Sequence, residues 1–220
     1  MVAEARAAHS SPCILQLRVF LQGTFVAAAP LILWLAAAQR RRFDRKEISI
    51  MASGNRVITY VGPKNLKIET FDYPKLIDPQ GKKAPHGAML KLVTTNICGS
   101  DQHIYRGRFP VPKGTVLGHE MTGEVVELGA DVHFIKMGDL CSVPFNVSCG
   151  RCRNCKSQHT DTCMNVNDEA NAGAYGFNLG GWQGGQSVYL MVPFADWNLL
   201  KFPDKDQAME NLRALTLLSD

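Results

Sequence analysis

Cys149-Gly150-Arg151-Cys152-Arg153-Asn154-Cys155, followed eight residues later by Cys163, is the stretch on which the fold of this chain turns. Four thiols at this spacing, on a loop that carries a glycine, can turn their sulfurs toward one point. Zinc takes four thiolates tetrahedrally at about 2.3 Å each, and a site so filled leaves no open position for a substrate. The expectation is therefore a structural zinc. Two disulfides, or four unrelated buried cysteines, are the competing readings. A disulfide framework belongs to small secreted chains rich in cysteine, and seven cysteines in 220 residues is not that composition.

Outward from the loop, the chain has length enough for one large or two small domains with a buried core. Its 45% hydrophobic and 20% charged residues suit a folded globular protein. The net charge of +4 is unevenly spread. Residues 1–50 hold seven Lys/Arg and three Asp/Glu, and residues 51–220 hold seventeen of each. A neutral body gives nucleic acid no basic footprint.

Residues 1–50 read as a separate extension. Val19–Ala38 is nearly all apolar and long enough to cross a bilayer, with Arg40, Arg41 and Arg42 behind it. Ala36-Ala37-Ala38 also imitates a signal-peptide cleavage site. The expectation here is an over-extended start, with Met51-Ala52-Ser53 beginning a cytoplasmic protein and a membrane role unfavoured.

From Asn55 onward the pattern is that of short strands and turns. Arg56–Val61 and Leu66–Phe71 alternate around Gly62-Pro63-Lys64-Asn65, which predicts a hairpin. Ala88–Ile97, Met121–Leu128, Asp139–Pro144 and Gln186–Pro193 read as further strands, and 165–185, with six glycines, as a long loop that is functional or mobile. Met209, Leu212, Leu215 and Leu218 predict one helical face over Asp204–Leu218. The expected class is mostly β, a barrel or sandwich with few helices.

A second set of candidate ligands follows the longest strand. Cys98 stands in Ile97-Cys98-Gly99-Ser100-Asp101-Gln102-His103 and His119 in Gly118-His119-Glu120. A catalytic zinc uses three protein ligands of this type and keeps one position open. By themselves such a pair is more often part of a core than of a metal site.

Cys98-Gly99-Ser100-Asp101, Gly118-His119-Glu120, Gly123-Glu124-Val125 and the four-cysteine loop, in this order, resemble the catalytic domain of the zinc-dependent medium-chain alcohol dehydrogenases. Asn96–His103, Val143–Cys163 and Gly181–Gln186 look most like the glutathione-independent formaldehyde dehydrogenase branch. The resemblance covers about residues 53–220 and implies a GroES-like β-barrel. It implies a catalytic zinc on Cys98, His119 and Asp220, the last in Leu218-Ser219-Asp220, and a structural zinc on Cys149, Cys152, Cys155 and Cys163. Ser100 and His103 are implied as a proton relay and, with Gly99, as the border of a bound NAD. Glu120 is implied as an exchangeable ligand, Asp101 as the partner that orients His119, and Phe145 as a wall of the substrate pocket. The implied activity is oxidation of formaldehyde hydrate or a small alcohol or aldehyde, in an enzyme that is a homo-oligomer. No strand–GxGxxG–helix unit occurs in the sequence. The expectation is thus a domain truncated before its dinucleotide-binding Rossmann partner, inactive alone. The alternative is a zinc-binding module without catalysis.

Overall fold

A computed structural model describes residues 54–166 and 173–219, all within one compact unit, Asp44–Asp220. The extension 1–50, its apolar stretch Val19–Ala38, and Asp220 lie outside the described residues. Among those described, no helix is long and apolar enough to cross a membrane.

The hairpin forms where the turn chemistry put it. Strands β1 (Asn55–Gly62) and β2 (Asn65–Phe71) pair antiparallel, with Lys64 at a φ of 59° in the turn. β1 sends Val57, Thr59 and Tyr60 inward, while β2 is the outer strand. Five further strands make one antiparallel sheet. In chain order these are β3 (Ala88–Thr95), β4 (Met121–Leu128), β5 (Leu140–Val143), β6 (Tyr189–Val192) and β7 (Leu200–Lys201). Their order across the sheet is β6-β3-β4-β5-β7. β1 docks on the segment that leads into β6, through Ile58 N–H to Gln186 O and Val188 N–H to Arg56 O. The Asn55 side chain fastens the same join, donating to Tyr189 O and accepting from the N–H groups of Val188 and Tyr189. The molecule is mostly β, as expected.

Met89, Leu90, Met121, Val125, Val143 and Val192 are the centre of the core. Each such side chain contributes on the order of 1.5–3 kcal/mol through apolar burial. Tyr175 and Trp182 belong to the same core. The described part of 165–185, from Gly173 on, is the expected loop of turns, and it contributes these two aromatic side chains to the core. Cys149, Cys155 and Cys163 also join this core, so the cysteine loop is part of the main body.

The helices differ most from expectation. α1 (Gly99–Tyr105) begins soon after β3, at a segment for which the sequence pattern predicted no element. In the cysteine loop lies α2 (Arg153–Lys156), and α3 (Ala195–Asn198) precedes β7. The single helix expected over Asp204–Leu218 is divided into α4 (Lys205–Glu210), α5 (Leu212–Leu215) and a 3-10 turn, Thr216–Ser219. Asn211 divides it, because its side-chain amide donates to Gln207 O and competes with the helical ladder. The buried positions also differ from the expected face: they are Ala208, Thr216 and Ser219, while Met209 and Leu218 are exposed.

Candidate metal centres

The four cysteines of the loop converge. Their sulfurs all lie within 4.8 Å of one another, and Cys152 Sγ is 4.0 Å from Cys163 Sγ. A tetrahedron with bonds of about 2.3 Å has edges of about 3.8 Å, so these positions suit one zinc. None of the four is in a disulfide. Backbone N–H groups point at the sulfurs: Cys149 to Cys163, Arg151 and Cys152 to Cys149, and Cys155 to Cys152. Asn165 adds a side-chain donor to Cys149. Donors of this kind favour thiolate. The Cys155 N–H contributes most to lowering Cys152, whose pKa falls to about 6. Burial pushes Cys163 up to about 12 and raises Cys155 as well. Buried thiols that resist ionisation alone need a cation to share the negative charge.

Local sequence explains why the loop closes. Gly150 has a φ of +70°, and a Cβ there would sit 2.4 Å from Trp197 Cδ2. The Trp197 indole thus lies against bare backbone, and its N–H donates to Ser148 Oγ at 2.7 Å. Cys152 caps α2 by accepting from Cys155 N–H, so the helix and the ligand geometry share one bond.

The second cluster assembles from two strand ends. Cys98 caps α1, its sulfur accepting from Ser100 N–H while Asp101 accepts from Cys98 N–H at 3.0 Å. Gly118 delivers His119. Its φ is +95°, and a Cβ would stand 2.6 Å from the backbone nitrogen of Gln186, so only glycine passes there. Three atoms then meet. Ser100 Oγ lies 2.9 Å from Cys98 Sγ and 3.0 Å from His119 Nε2, and Cys98 Sγ lies 3.3 Å from His119 Nε2. A carboxylate oxygen of Glu120 completes a set of ligand atoms within 4.8 Å.

His119, Glu120 and Asp101 are buried. His119 Nδ1 and Asp101 Oδ1 are 3.7 Å apart, and neither has a hydrogen-bond partner. Burial raises the Asp101 pKa, against the opposing effects of the Cys98 N–H, the His119 ring and the Gly118 N–H. A half-buried thiol gathered with a buried imidazole and a buried carboxylate, with orphaned polar atoms behind them, fits a divalent metal of zinc type.

Several sequence expectations bear on this cluster. Cys98, Ser100, His119, Glu120 and Asp101 are brought together. Gly99 opens α1, and a Cβ there would meet nothing within 4 Å, so the space before it is free. His103 is on α1 but exposed, and the Ser100 hydroxyl pairs with Cys98 and His119 instead of with it. Phe145 is half exposed, while its carbonyl accepts from Tyr175 N–H. Phe177 was overlooked; its ring lies 4.8 Å from that of His119 and 5.5 Å from that of Phe109. It sits in a glycine-rich run with no periodic signal. A cavity of about 510 Å³ opens elsewhere, lined by residues such as Tyr73, Trp182 and Tyr189 and by none of the candidate ligands. The convergence of ligand atoms, not cavity size, marks the chemistry.

Residues 84–204 match the family model described as the alcohol dehydrogenase GroES-like domain. Over 170 residues the chain is 60% identical to formaldehyde dismutase of Pseudomonas putida, covering 76% of this chain and 42% of that protein. It is 57% identical over 169 residues to a glutathione-independent formaldehyde dehydrogenase of Pseudomonas aeruginosa, again over 76% and 42%. Among solved structures, acetophenone reductase from Geotrichum candidum in complex with NAD is similar, with a TM-score of 0.56 and 30% identity over 70% of this chain and 41% of that one. The chain thus spans less than half the length of the relatives it matches.

Proposed function

Since the chain belongs to the family of the alcohol dehydrogenase GroES-like domain, we propose that it is the metal-binding catalytic part of an oxidoreductase that oxidises formaldehyde hydrate, or a small alcohol or aldehyde, with NAD. The observation that carries this reading is the meeting of Cys98 Sγ, Ser100 Oγ and His119 Nε2 within 3.3 Å, just beyond the end of β3 and the start of β4. The names of the relatives support formaldehyde as substrate, and the NAD-bound relative supports the nicotinamide.

In this reading Cys98 and His119 hold a catalytic zinc, completed by Asp220 or by Glu120. The zinc supplies Lewis acidity toward the substrate oxygen. The chain's own residues do the rest. The Ser100 hydroxyl stands at the ligand cluster, where it would accept the substrate hydroxyl's proton as it passes its own on. His103, exposed on the same helix, is the outer group of this relay toward solvent. Phe177 packs its ring against the His119 imidazole. Gly99, with nothing in front of it, lets the nicotinamide approach. Cys149, Cys152, Cys155 and Cys163 hold a second, structural zinc. Residues 51–220 make the functional body in this proposal, and the assembled enzyme is a homo-oligomer.

Metal content tests the reading directly. The purified chain should carry two zinc ions, and Cys98→Ala should carry one. One zinc in the parent, unchanged by Cys98→Ala, would leave only a structural zinc module.

A further inference from the structure

We infer that Asn96, which has no ligand atom in either cluster, is the positioning residue of the Cys98/His119 centre. The inference rests on the catalytic-metal reading above. β3 and β4 stay paired up to Thr95 and Met121. Beyond that pair the chain must carry Cys98 to one side of the centre and His119 to the other. Asn96 stands at the parting. Its backbone N–H donates to Glu120 O at 3.0 Å, which fixes the Cys98 segment to the His119 segment.

Its side chain reaches a third part of the chain. Asn96 Nδ2 donates to Thr216 O at 3.1 Å, and Thr216 Oγ1 donates to Asn96 Oδ1 at 3.0 Å. The two residues are 120 positions apart, and Thr216 is buried. Thr216 opens the 3-10 turn, which packs on β4 and β5, and Ser219 Oγ donates back to Thr216 O. One amide therefore joins the Cys98 strand end, the His119–Glu120 segment and the C-terminal turn.

The chemistry is particular to asparagine. A planar amide presents one donor and one acceptor side by side, matching the carbonyl and hydroxyl of a single threonine. Aspartate has the same shape but no donor, and would set a carboxylate oxygen against the Thr216 carbonyl. Residues that orient ligands without touching the metal typically change its affinity by roughly 10–100-fold when altered.

The test uses the full chain with zinc kept in the four-thiolate site and cobalt(II) titrated into the other. Cobalt reports affinity by its visible bands and geometry by their positions. Asn96→Asp and Thr216→Val should each weaken cobalt binding by roughly 10–100-fold and shift the bands, while zinc in the four-thiolate site is retained. Thr216→Ser keeps the hydroxyl and should behave as the parent. Parent-like affinity and spectrum in both Asn96→Asp and Thr216→Val would overturn the inference while leaving the catalytic-metal reading intact. A parent chain that takes up no cobalt would overturn that reading, and this one with it. Should Asn96→Asp lose the structural zinc as well, the milder Thr216→Val decides.

Discussion

His119 and Asp101 form a pair held just short of contact. The 3.7 Å between Nδ1 and Oδ1 is too long for a hydrogen bond, yet both atoms are buried and unsatisfied. An orphaned buried polar group costs about 1–3 kcal/mol, so the arrangement is stable only if something else favours it. A cation on Nε2 would do so, because it makes Nδ1–H a stronger donor and draws the ring toward the carboxylate. Asp101 also closes the capping box of α1, whose loss typically costs about 1 kcal/mol. Asp101→Ala should therefore lower the melting temperature by a few degrees and weaken metal binding at Cys98/His119 by tenfold or more. Calorimetry and metal titration would show it, and a variant with parental metal affinity would leave Asp101 only its capping role. Cys152 makes the second residue-scale case. The Cys155 N–H, which donates to the Cys152 sulfur, holds its pKa below that of a free thiol and favours the thiolate a metal takes. Cys152→Ser should cost one zinc per chain and open the segment 149–163 to proteolysis, since binding energy there is folding energy. Unchanged zinc content in that variant would refute the four-thiolate site.

Elements are joined by charges and by missing side chains. Asp196, at the start of α3, accepts from the backbone N–H groups of His133, Phe134 and Ile135. Burial by itself would raise its pKa, but these donors together hold it below the ordinary 3.8. A carboxyl lowered on folding adds stability above its unfolded pKa and loses it as the pH falls through the folded value. Asp196→Asn should cost on the order of 1 kcal/mol at neutral pH, the low end for bonds to a charged group, since the site is partly solvated. The gap between parent and variant should close as acid protonates the parent. Thermal melts along a pH series measure it, and a gap that stays constant would mean that the charge contributes nothing. At Gly118, Gly118→Ala meets both a positive φ and a backbone atom at 2.6 Å. Strain of this kind costs about 1–3 kcal/mol, and it would displace His119 with the chain. Loss of the second metal ahead of global unfolding is the expected result. The strands were legible because alternation and turn residues are local. β1 through β6 fall within a few residues of where the pattern put them. α1 was not, because its cap is a cysteine, outside the usual Ser, Thr, Asp and Asn signals. Asn211 likewise hid its effect, since a side chain that bonds backward is invisible to periodicity. The ligand types were legible in their motifs, whereas Asn96 with Thr216 and Phe177 with His119 meet only through tertiary folding.

For the molecule as a whole, the question is whether the cysteine loop is an appendage or part of the cooperative unit. Its place in the core argues for the latter. Cys149, Cys155 and Cys163 share a cluster with Met89, Leu90 and Val143, and Trp197 covers Gly150 from α3. The Asn198 side chain bonds Ser148 O and Pro193 O, tying the loop's root to the end of β6. A ligand that binds only the folded state stabilises it by RT ln(1 + [L]/Kd), about 4 kcal/mol at a thousandfold excess over Kd. In a body of this size 1 kcal/mol moves the melting temperature by roughly 2–4 °C. Stripping zinc with a strong chelator should therefore lower the melting of the whole β body by roughly 10 °C, in a single transition. Near-ultraviolet circular dichroism would follow Tyr175 and Trp182 in the core beside Trp197 at the loop. If the loop became protease-sensitive while the core aromatics melted at their original temperature, the loop would be a separate unit. If both moved together, the metal that closes Cys149–Cys163 would also be holding the sheet that presents Cys98 and His119. The structural and the catalytic centres would then be coupled through folding, without any direct contact between them.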